Sequence, residues 1–504
     1  MNYDLWDVLV NVFSLKNLFI SAAGVMVGNI FGALPGLTAA MGIAILMPLT
    51  FGLNPASALI LMGAIFAGAM WGGSVSAILI NTPGTPAAAA TVLDGYPMAK
   101  KGQAADALRE SVWSSFIGGI FGVIALHLFA PPLAMISLWF GPPEYFLLAI
   151  FGMTIIAALS EKALVKGFLA GFFGLLIGTI GMDPLLGIPR FTFGVANLVD
   201  GIELVPALIG LFSIPETFEM IRSYIKKDVE KLPSLKNIRL GFPPLKHTIR
   251  LMPVYIRSSI IGIIIGILPG AGGSIASFMA YNETRRTSKT PELFGTGIID
   301  GVAASEAANN AVCGGALIPM LTLGIPGDSV AAIIMGGLMV HGLLPGAELF
   351  TKHAQVTYTF IIALYMANVF MLFFGLYMAP FFTLVTNTPK HILAVGVILL
   401  TTIGSYAIRE NIFDVYVMLA FGILGTLMKN HGFDLTPVVL GIILGPMMEK
   451  GLYGTLAISE GENVVFFVLT RPISIILFAL IVFSLGIPVY RRMKKGKSVF
   501  DAGH

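Results

Sequence analysis

The sequence predicts an all-α polytopic membrane protein with about twelve membrane crossings, arranged as two inverted-topology repeats that contain broken or re-entrant helical hairpins. Three observations support this prediction. Only 11% of the 504 residues are charged, whereas soluble domains carry about 25%. Apolar runs long enough to span a bilayer recur along the chain. Pro-Gly pairs interrupt these runs at matching places in the two halves, which is typical of transporters with a central binding site.

The overall composition excludes several classes of protein. Hydrophobic residues make up 56% of the chain and the formal net charge is only +3, so a nucleic-acid partner is not expected. The single cysteine, Cys313, excludes an intramolecular disulfide and any Cys-x-x-Cys metal or redox site. Residues 1–17 contain Asp4 and Asp7 and lack a basic n-region. We therefore expect the first apolar run to stay in the mature protein.

The apolar runs and the charged segments between them define the predicted domains. We expect a first transmembrane repeat over 1–221, a basic cytoplasmic linker over 222–250 and a second transmembrane repeat over 251–471. A final transmembrane helix over 472–490 and a cytoplasmic tail over 491–504 follow. The apolar runs within the repeats are 18–49, 55–90, 110–140, 143–160, 163–182, 202–220, 251–280, 298–345, 356–386, 390–406, 413–430 and 435–448.

The two halves contain short motifs in the same order, which predicts that they arose by duplication. A single match would be weak evidence, but five collinear matches make a strong case. The pairs are Gly32-Ala33-Leu34-Pro35-Gly36 with Gly266-Ile267-Leu268-Pro269-Gly270, Trp71-Gly72-Gly73 with Cys313-Gly314-Gly315, Pro83-Gly84 with Pro326-Gly327, Ala130-Pro131 with Ala379-Pro380, and Gly181-Met182-Asp183 with Gly432-Phe433-Asp434.

The distribution of Lys and Arg predicts that the repeats are inverted. The positive-inside rule places the 222–250 linker, the C-terminal basic cluster and the loop 97–109 in the cytoplasm. The corresponding loop of the second half, 341–355, has little positive charge, whereas 285–289 is basic and its first-half counterpart is not. Corresponding loops are therefore expected on opposite sides of the membrane, with the N-terminus outside.

Four Pro-Gly breaks mark the predicted binding site. Proline removes a backbone donor and glycine permits turns that other residues resist, so a new half-helix can begin after each break. The free N–H groups and the positive dipole end of such a half-helix favour an anion. A small hydroxyl residue follows each break: Thr38, Thr85, Ser274 and Ser329. These hydroxyls act either as ordinary helix caps or as donors to a carboxylate.

The stretch 301–345 carries polar side chains at membrane depth. Glu306, Asn309 and Asn310 share one helical turn, and Asp328 directly follows a break. Such residues are costly in a bilayer and usually face the protein interior or a functional site. We expect Asp328 to hold a cation or relay a proton, and we expect Glu306, Asn309 and Asn310 either to pair with other protein groups or to act as ligands. No metal site other than one for such a cation is expected.

Catalytic and nucleotide-binding motifs are not found in the sequence. The glycine-rich segment 270–274 lacks the lysine of a Walker motif, and there is no H-E-x-x-H or G-x-S-x-G. An anion channel and, with less support, a membrane-embedded enzyme remain as alternatives to a transporter. Three further acidic residues, Asp94, Asp183 and Asp434, lie near predicted loops, where we expect them to be solvated.

Four long motifs resemble the large permease subunit (TctA type) of the tripartite tricarboxylate transporters, and this resemblance covers nearly the whole chain. They are GALPGLTAAMGIAILMPLTFG, WGGSVSAILINTPGTPAAAATVLDGYPMAKKGQA, GILPGAGGSIASFMAYN and AASEAANNAVCGGALIPMLTLGIPGDSVAAIIMGGLMVHGLLPG. The resemblance implies a secondary transporter of the bacterial inner membrane. It implies a small membrane subunit (TctB type) and a periplasmic substrate-binding protein (TctC type) as partners. It also implies uptake of a tricarboxylate such as citrate, or a di- or aromatic carboxylate, driven by Na⁺ or H⁺ without another cofactor.

The breaks and the resemblance together predict a carboxylate site between the broken hairpins. Alternating access would come from movement of one broken-hairpin domain against a fixed scaffold. The expected substrate contacts are the small and hydroxyl-bearing residues around the breaks: Gly36, Thr38, Asn81, Thr82, Gly84, Thr85, Gly270, Gly272, Ser274, Gly327 and Ser329.

Overall fold

The computed structural model describes residues 4–159, 164–183, 186–225, 240–385, 388–459 and 463–494. Within these residues the chain is all-α, as predicted. The only sheet in the described ranges is a two-stranded antiparallel ribbon that pairs β1 (Gly181–Met182) with β2 (Pro189–Arg190). Most of the predicted linker, 226–239, and the tail from 495 onward lie outside the described residues.

Helices follow one another with short connections along both halves. Those of the first half are α1 (Leu5–Val12), α2 (Leu15–Ala33), α3 (Ala39–Leu46), α4 (Pro55–Ile80), α5 (Ala89–Lys100), α6 (Ala104–Ser137), α7 (Pro142–Leu159), α8 (Leu164–Gly178) and α9 (Leu204–Ile225). Those of the second half are α10 (Leu245–Ile267), α11 (Gly272–Thr287), α12 (Ile299–Leu323), α13 (Ser329–Val340), α14 (Ala347–Thr351), α15 (Ala354–Val385), α16 (Lys390–Ala407), α17 (Ile412–Asn430), α18 (Thr436–Ile458), α19 (Val464–Leu469) and α20 (Pro472–Lys494).

Seven helical segments in the described part of the chain are long and apolar enough to cross a bilayer. Shorter apolar helices, among them α3, α8 and α13, accompany them. The chain is therefore a multi-pass membrane protein. The seven segments are Leu15–Ala33, Pro55–Ile80, Ala104–Ser137, Leu204–Arg222, Leu245–Ile267, Ala354–Ala379 and Ile412–Asn430.

Each Pro-Gly pair of the predicted breaks lies between two helices rather than within one. The connection after α2 contains Gly36 at φ +93°, and the connection after α10 contains Gly270 at φ +78°. Glycine enters this region of backbone space without steric cost. α4 and α12 both end on a left-handed residue, Asn81 at φ +56° and Gly324 at φ +70°. The long apolar runs are thus divided where the sequence predicts.

The chain forms two compact units, and each unit draws on both halves of the sequence. The first contains 1–132 and 216–408, and the second contains 133–215 and 409–504. All predicted site residues belong to the first unit.

In the first unit, small residues allow helices to pack with their backbones in contact. A Cβ on Gly28 of α2 would lie 2.4 Å from the carbonyl oxygen of Ile65 on α4. A Cβ on Gly262 of α10 would lie 2.4 Å from the carbonyl oxygen of Ala308 on α12. Such close packing is characteristic of membrane helices, because lipid removes the hydrophobic drive for association.

Trp71 of α4 belongs to a large buried apolar cluster of the first unit. Its side chain is fully buried and packs edge to face on Phe382. The indole Nε1 donates to Ser111 Oγ of α6 at 3.1 Å. This hydrogen bond satisfies the one polar atom of the ring, so α4 is anchored to both α6 and α15.

The second unit packs α18 against α7 and α8 in the same backbone-close manner. A Cβ on Gly174 would lie 2.1 Å from the Val438 carbonyl oxygen. At the start of α7, the buried Glu144 accepts hydrogen bonds from Arg471 Nε at 2.6 Å and Ser474 Oγ at 2.7 Å. These charge-assisted bonds join α7 to α20.

Candidate functional site

The two breaks of the first half meet at Gly84. Beyond α4 the chain turns back, and the Gly84 N–H donates to the Gly73 carbonyl oxygen at 3.1 Å. A Cβ on Gly84 would lie 1.9 Å from the carbonyl oxygen of Gly32, near the end of α2. No side chain fits at that distance. The end of α2 and the segment after α4 are therefore in direct backbone contact.

Gly327 occupies the corresponding position in the second half. Its N–H donates to the Ala316 carbonyl oxygen at 3.3 Å. A Cβ on Gly327 would lie 2.1 Å from the carbonyl oxygen of Gly266, near the end of α10. The Gly270 N–H also donates to the Gly327 carbonyl oxygen at 2.8 Å. The break after α10 and the break after α12 are therefore held together by their backbones.

The breaks of the two halves come together at the start of α11. A Cβ on Gly273 would lie 2.7 Å from Ala87 Cβ and 3.1 Å from Asn309 Oδ1. A Cβ on Gly272 would lie 3.8 Å from Asp328 Cβ. The structure thus gathers members of both predicted groups, substrate contacts and cation ligands, into one region.

Two of the predicted site side chains act as helix caps. Thr38 Oγ1 accepts the Met41 N–H at 3.2 Å at the start of α3, and Asp328 Oδ1 accepts the Ala331 N–H at 2.7 Å at the start of α13. Each satisfies a backbone donor that would otherwise be unpaired. The first turn of α11, which begins at Gly272, has no side-chain cap. Uncapped N–H groups at a helix start favour an anion.

Several predicted residues bury polar atoms without a hydrogen-bond partner among the described residues. These atoms are Thr85 Oγ1, Asn309 Oδ1 and both side-chain polar atoms of Asn310. Thr85 is 3% exposed, and the two asparagines are 0% and 1% exposed. The Asn309 amide nitrogen donates to the Met70 carbonyl oxygen at 3.0 Å. Because buried polar groups are nearly always paired, such atoms mark positions for water, an ion or a substrate.

Glu306 is fully buried and is surrounded by hydroxyl groups. Its Oε1 accepts from Ser74 Oγ at 2.5 Å and from Thr91 Oγ1, and its Oε2 accepts from Ser115 Oγ at 2.8 Å. The three donors lie on α4, α5 and α6. No ion pair to Glu306 is found in the described ranges. Carboxylate and hydroxyl oxygens suit a hard cation or a proton rather than an anion.

The other predicted contacts lie farther from this region or are less enclosed. Asn81 and Thr82 are exposed, and Thr82 Oγ1 donates to the Ile80 carbonyl oxygen at 3.2 Å. Gly36, Ser274 and Ser329 are half-buried. The predicted substrate contacts therefore fall into a buried group and a more accessible group.

Asn29 is a buried polar residue that the sequence interpretation missed. It lies on α2, is 0% exposed, and both polar atoms of its side chain lack a partner in the described part of the chain. A Cβ on Gly72 would lie 2.5 Å from the Asn29 carbonyl oxygen, so Asn29 faces the Trp71-Gly72-Gly73 motif. The sequence feature that could have identified this residue is a lone asparagine within the apolar run 18–49.

The prediction that Asp94 is solvated is wrong. Asp94 is 0% exposed and accepts a hydrogen bond from Tyr281 Oη at 2.8 Å. Its Oδ1 also accepts the backbone N–H groups of Gly295 at 2.9 Å, Gly297 at 2.7 Å and Ile298 at 3.0 Å. This carboxylate therefore ties α5 of the first half to the loop before α12.

The same prediction is wrong for Asp183 and correct for Asp434. Asp183 is 4% exposed, accepts the Leu186 N–H at 2.8 Å and lies 3.0 Å from Arg190 Nη1. The β1–β2 ribbon encloses it, which composition alone did not indicate. Asp434 is exposed and accepts the Thr436 N–H at 3.0 Å.

Buried helix breaks that carry unpaired polar atoms, within a multi-pass helical protein, define a transporter-like membrane protein. Comparison with known proteins identifies the family. Residues 18–440 match the tripartite tricarboxylate transporter TctA family. The chain therefore belongs to the TctA family, which is a family of transporters and not of enzymes. This removes the alternative of a membrane-embedded enzyme.

Two proteins of Agrobacterium vitis are similar to this chain. An "Uncharacterized 52.8 kDa protein in TAR-I ttuC' 3'region" is 37% identical over 463 residues, which cover 92% of this chain and 91% of that protein. An "Uncharacterized protein in TAR-II ttuC' 3'region" is 36% identical over 219 residues, which cover 44% of this chain and 90% of that protein. The first similarity extends along both halves of the sequence.

Proposed function

We propose that this chain is the large permease subunit of a binding-protein-dependent secondary transporter that imports carboxylates. The observation that carries the proposal is the convergence of four helix breaks around Gly84, Gly273 and Gly327. Unpartnered polar atoms of Thr85 and Asn309 accompany that convergence. Membership of the TctA family favours a tricarboxylate such as citrate, or a di- or aromatic carboxylate, as substrate.

Matched contacts in the two halves support an origin by duplication. A Cβ on Gly32 would lie 2.3 Å from the Ala69 carbonyl oxygen, and a Cβ on Gly266 would lie 3.0 Å from the Val312 carbonyl oxygen. The Gly84 and Gly327 contacts described above form a second matched pair. We therefore propose two repeats, and the placement of Lys and Arg favours their inversion.

The proposed topology follows from these repeats. The first repeat comprises 1–221 and the second 251–471, joined by the basic linker 222–250 on the cytoplasmic side. The helix 472–490 brings the tail to the cytoplasm. With the broken hairpins included, the chain makes about twelve crossings of a bacterial inner membrane.

The carboxylate would bind at the start of α11. The backbone N–H of Gly272 and the hydroxyl of Ser274 are suitable donors there, and Gly84 and Thr85 belong to the opposing break. Gly270, whose own N–H donates to the Gly327 carbonyl oxygen, would line the site through its backbone. A helix N-terminus stabilises an anion by about 0.3–1 kcal/mol, and by about 2 kcal/mol when partly buried. The remaining proposed contacts would line the approach to the carboxylate: Gly36, Thr38, Asn81, Thr82, Gly327 and Ser329.

The coupling cation, Na⁺ or H⁺, would bind near Glu306. Its carboxylate has three hydroxyl neighbours and no basic partner in the described residues. Asn309 and Asn310 follow on the same helix with unpaired amide oxygens. Asp328 caps α13 through Oδ1, so its contribution would come through the other carboxylate oxygen.

The partners proposed are those of the family: a small membrane subunit of TctB type and a periplasmic binding protein of TctC type. The binding protein would deliver the substrate and select it. Movement of one broken-hairpin domain against a fixed scaffold would then expose the site to the cytoplasm.

Uptake into proteoliposomes tests the proposal. The vesicles contain this chain and its small partner, and labelled citrate, a dicarboxylate and an aromatic carboxylate are offered under a sodium or a proton gradient. We expect uptake of one class that requires both one gradient and the cognate binding protein. Flux without a gradient and without the binding protein would instead establish the anion-channel alternative.

A further inference from the structure

An apolar groove runs between α10 and α11, away from the helix breaks. It encloses about 990 Å³. Ile249, Ile256 and Ile260 of α10 and Met279 of α11 line it. These side chains are 62%, 37%, 49% and 47% exposed, respectively. Because α10 is long and apolar enough to cross the bilayer, exposed apolar side chains along it suit contact with lipid chains.

Arg257 lies in this groove halfway along α10. Its Nε is buried and has no hydrogen-bond partner in the described ranges, and its Nη2 is 3.5 Å from Thr284 Oγ1, a long contact. A guanidinium in a membrane-spanning helix is costly unless an anion or a set of acceptors pairs with it. No salt bridge to Arg257 is found in the described residues, and Glu283 acts on it only as an electrostatic neighbour.

The polar end of the groove carries a net positive charge. Arg286 donates to both carboxylate oxygens of Glu283, at 2.8 and 2.9 Å. Glu283 is thus paired with Arg286, while Arg257 attracts the same carboxylate without forming a salt bridge to it. Two guanidinium groups therefore face one carboxylate, so the groove has one positive charge for an anionic ligand to balance.

We propose that this groove binds an anionic phospholipid. Its phosphate would bridge Arg257 and Arg286, and an acyl chain would lie along the isoleucine stripe of α10. Guanidinium groups suit phosphate because they offer several N–H donors in fixed geometry. Basic residues at the membrane surface also attract anionic lipids. The proposal does not depend on the transported substrate.

Native mass spectrometry of the full chain in detergent tests this site. The protein is titrated with dioleoylphosphatidylglycerol and, separately, with dioleoylphosphatidylcholine. We expect at least about tenfold tighter binding of the anionic lipid, since a charge-assisted contact of ordinary strength changes affinity by that factor. Equal binding of the two lipids would overturn the proposal.

Three arginine variants at two positions form a matched set. Arg257→Gln is expected to remove the preference for the anionic lipid, and Arg257→Lys to retain part of it. Arg285 lies on α11 beside Arg286, donates to the Pro291 carbonyl oxygen and does not line the groove, so Arg285→Gln is expected to leave the preference intact. Equal losses in Arg257→Gln and Arg285→Gln would indicate diffuse charge attraction and contradict a defined site.

A variant that fills the groove keeps the proposal testable if Arg257→Gln does not fold. Ile260→Trp occupies the path of the acyl chain without changing charge, and we expect it to weaken retention of phosphatidylglycerol about tenfold. Unchanged retention would overturn the proposal. If Ile260→Trp instead releases the small membrane subunit and leaves lipid binding unchanged, the groove is a subunit interface and the proposal is wrong.

Discussion

Gly84 packs so closely on Gly32 that a Cβ on Gly84 would lie 1.9 Å from the Gly32 carbonyl oxygen. Gly327 packs on Gly266 in the same way, at 2.1 Å. These two contacts hold each extended segment against the end of a preceding helix. They make the helix breaks fixed parts of the first unit.

Alanine at either glycine is expected to destabilise the protein. The added methyl groups of Gly84→Ala and Gly327→Ala would overlap backbone carbonyl oxygens, which cannot move aside as a flexible side chain can. Overpacking of this kind costs about 1–3 kcal/mol. Thermal unfolding in detergent measures the change.

Gly396→Ala on α16 is the matched control for these variants. A Cβ at Gly396 meets nothing within 4 Å. Alanine within a helix is favoured over glycine by about 1 kcal/mol, so this variant is expected to be neutral or slightly stabilised. Unchanged melting of both Gly84→Ala and Gly327→Ala would contradict the packing described.

Thr85→Val is expected to raise stability while lowering transport. The variant removes a buried hydroxyl that has no partner among the described residues, and an unsatisfied group of this kind costs about 1–3 kcal/mol. If the hydroxyl contacts the substrate, initial uptake falls about tenfold, the effect of losing one such hydrogen bond.

Thr359→Val serves as the control for Thr85→Val. Thr359 is also buried, but its Oγ1 donates to the Gln355 carbonyl oxygen at 2.7 Å within α15. We expect a small loss of stability and normal uptake. Normal uptake by Thr85→Val as well would remove Thr85 from the site.

Glu306→Gln is expected to uncouple transport from the cation gradient. The amide keeps the size of the side chain but removes the charge that would bind Na⁺ or the proton. Initial uptake measured against Na⁺ concentration and pH should lose its dependence on the coupling ion. Glu348→Gln, an exposed residue paired with Lys352, should retain it. Unaltered ion dependence in Glu306→Gln would exclude Glu306 as the coupling site.

The environment of Glu203 in the second unit predicts that the stability of the protein depends on pH. Burial raises the pKa of its carboxyl above the ordinary value of 4.5. The positive charge of Arg409, 3.7 Å away, opposes this shift, and the negative charge of Asp414 adds to it. Arg409 pairs more closely with Asp414, with Nε 3.0 Å from Oδ2. Above pH 4.5 the folded protein therefore binds more protons at this site than the unfolded chain, and stability falls as pH rises through the raised pKa.

Glu203→Gln mimics the protonated side chain, so it should raise the melting temperature at pH 7 and have little effect below about pH 4.5. Glu292 is exposed, so Glu292→Gln serves as the control. It is expected to leave the melting temperature unchanged both at pH 7 and at the lower pH. A loss of stability at pH 7 in Glu203→Gln would show that the ionised carboxylate is favoured instead.

Local signals in the sequence were sufficient to locate the helix breaks. Proline and glycine act within their own turn, so the positions of Gly36, Gly84, Gly270 and Gly327 between helices followed from residue type. The helix-cap alternative for Thr38 was also local, since a cap bonds an N–H three residues away. The prediction of a multi-pass α-helical membrane protein rests on the same kind of local evidence.

Contacts between distant segments could not be predicted from the sequence. Asp94 looks solvated beside its own neighbours, but its partners lie about two hundred residues later, between Tyr281 and Ile298. The hydroxyl ring around Glu306 is assembled from three other helices, and none of its serines or threonines forms a motif with the glutamate. Such sites depend on which helices pack together, which periodicity and composition do not determine.

Accumulation of the substrate against its own concentration gradient tests the central claim most directly. Proteoliposomes with this chain, its small partner and the binding protein contain no substrate inside, and labelled substrate is added outside with a sodium or proton gradient. The account predicts an internal concentration above the external one, which collapses when an ionophore dissipates the gradient. Equilibration to equal concentrations, unchanged by the ionophore, would contradict secondary active transport.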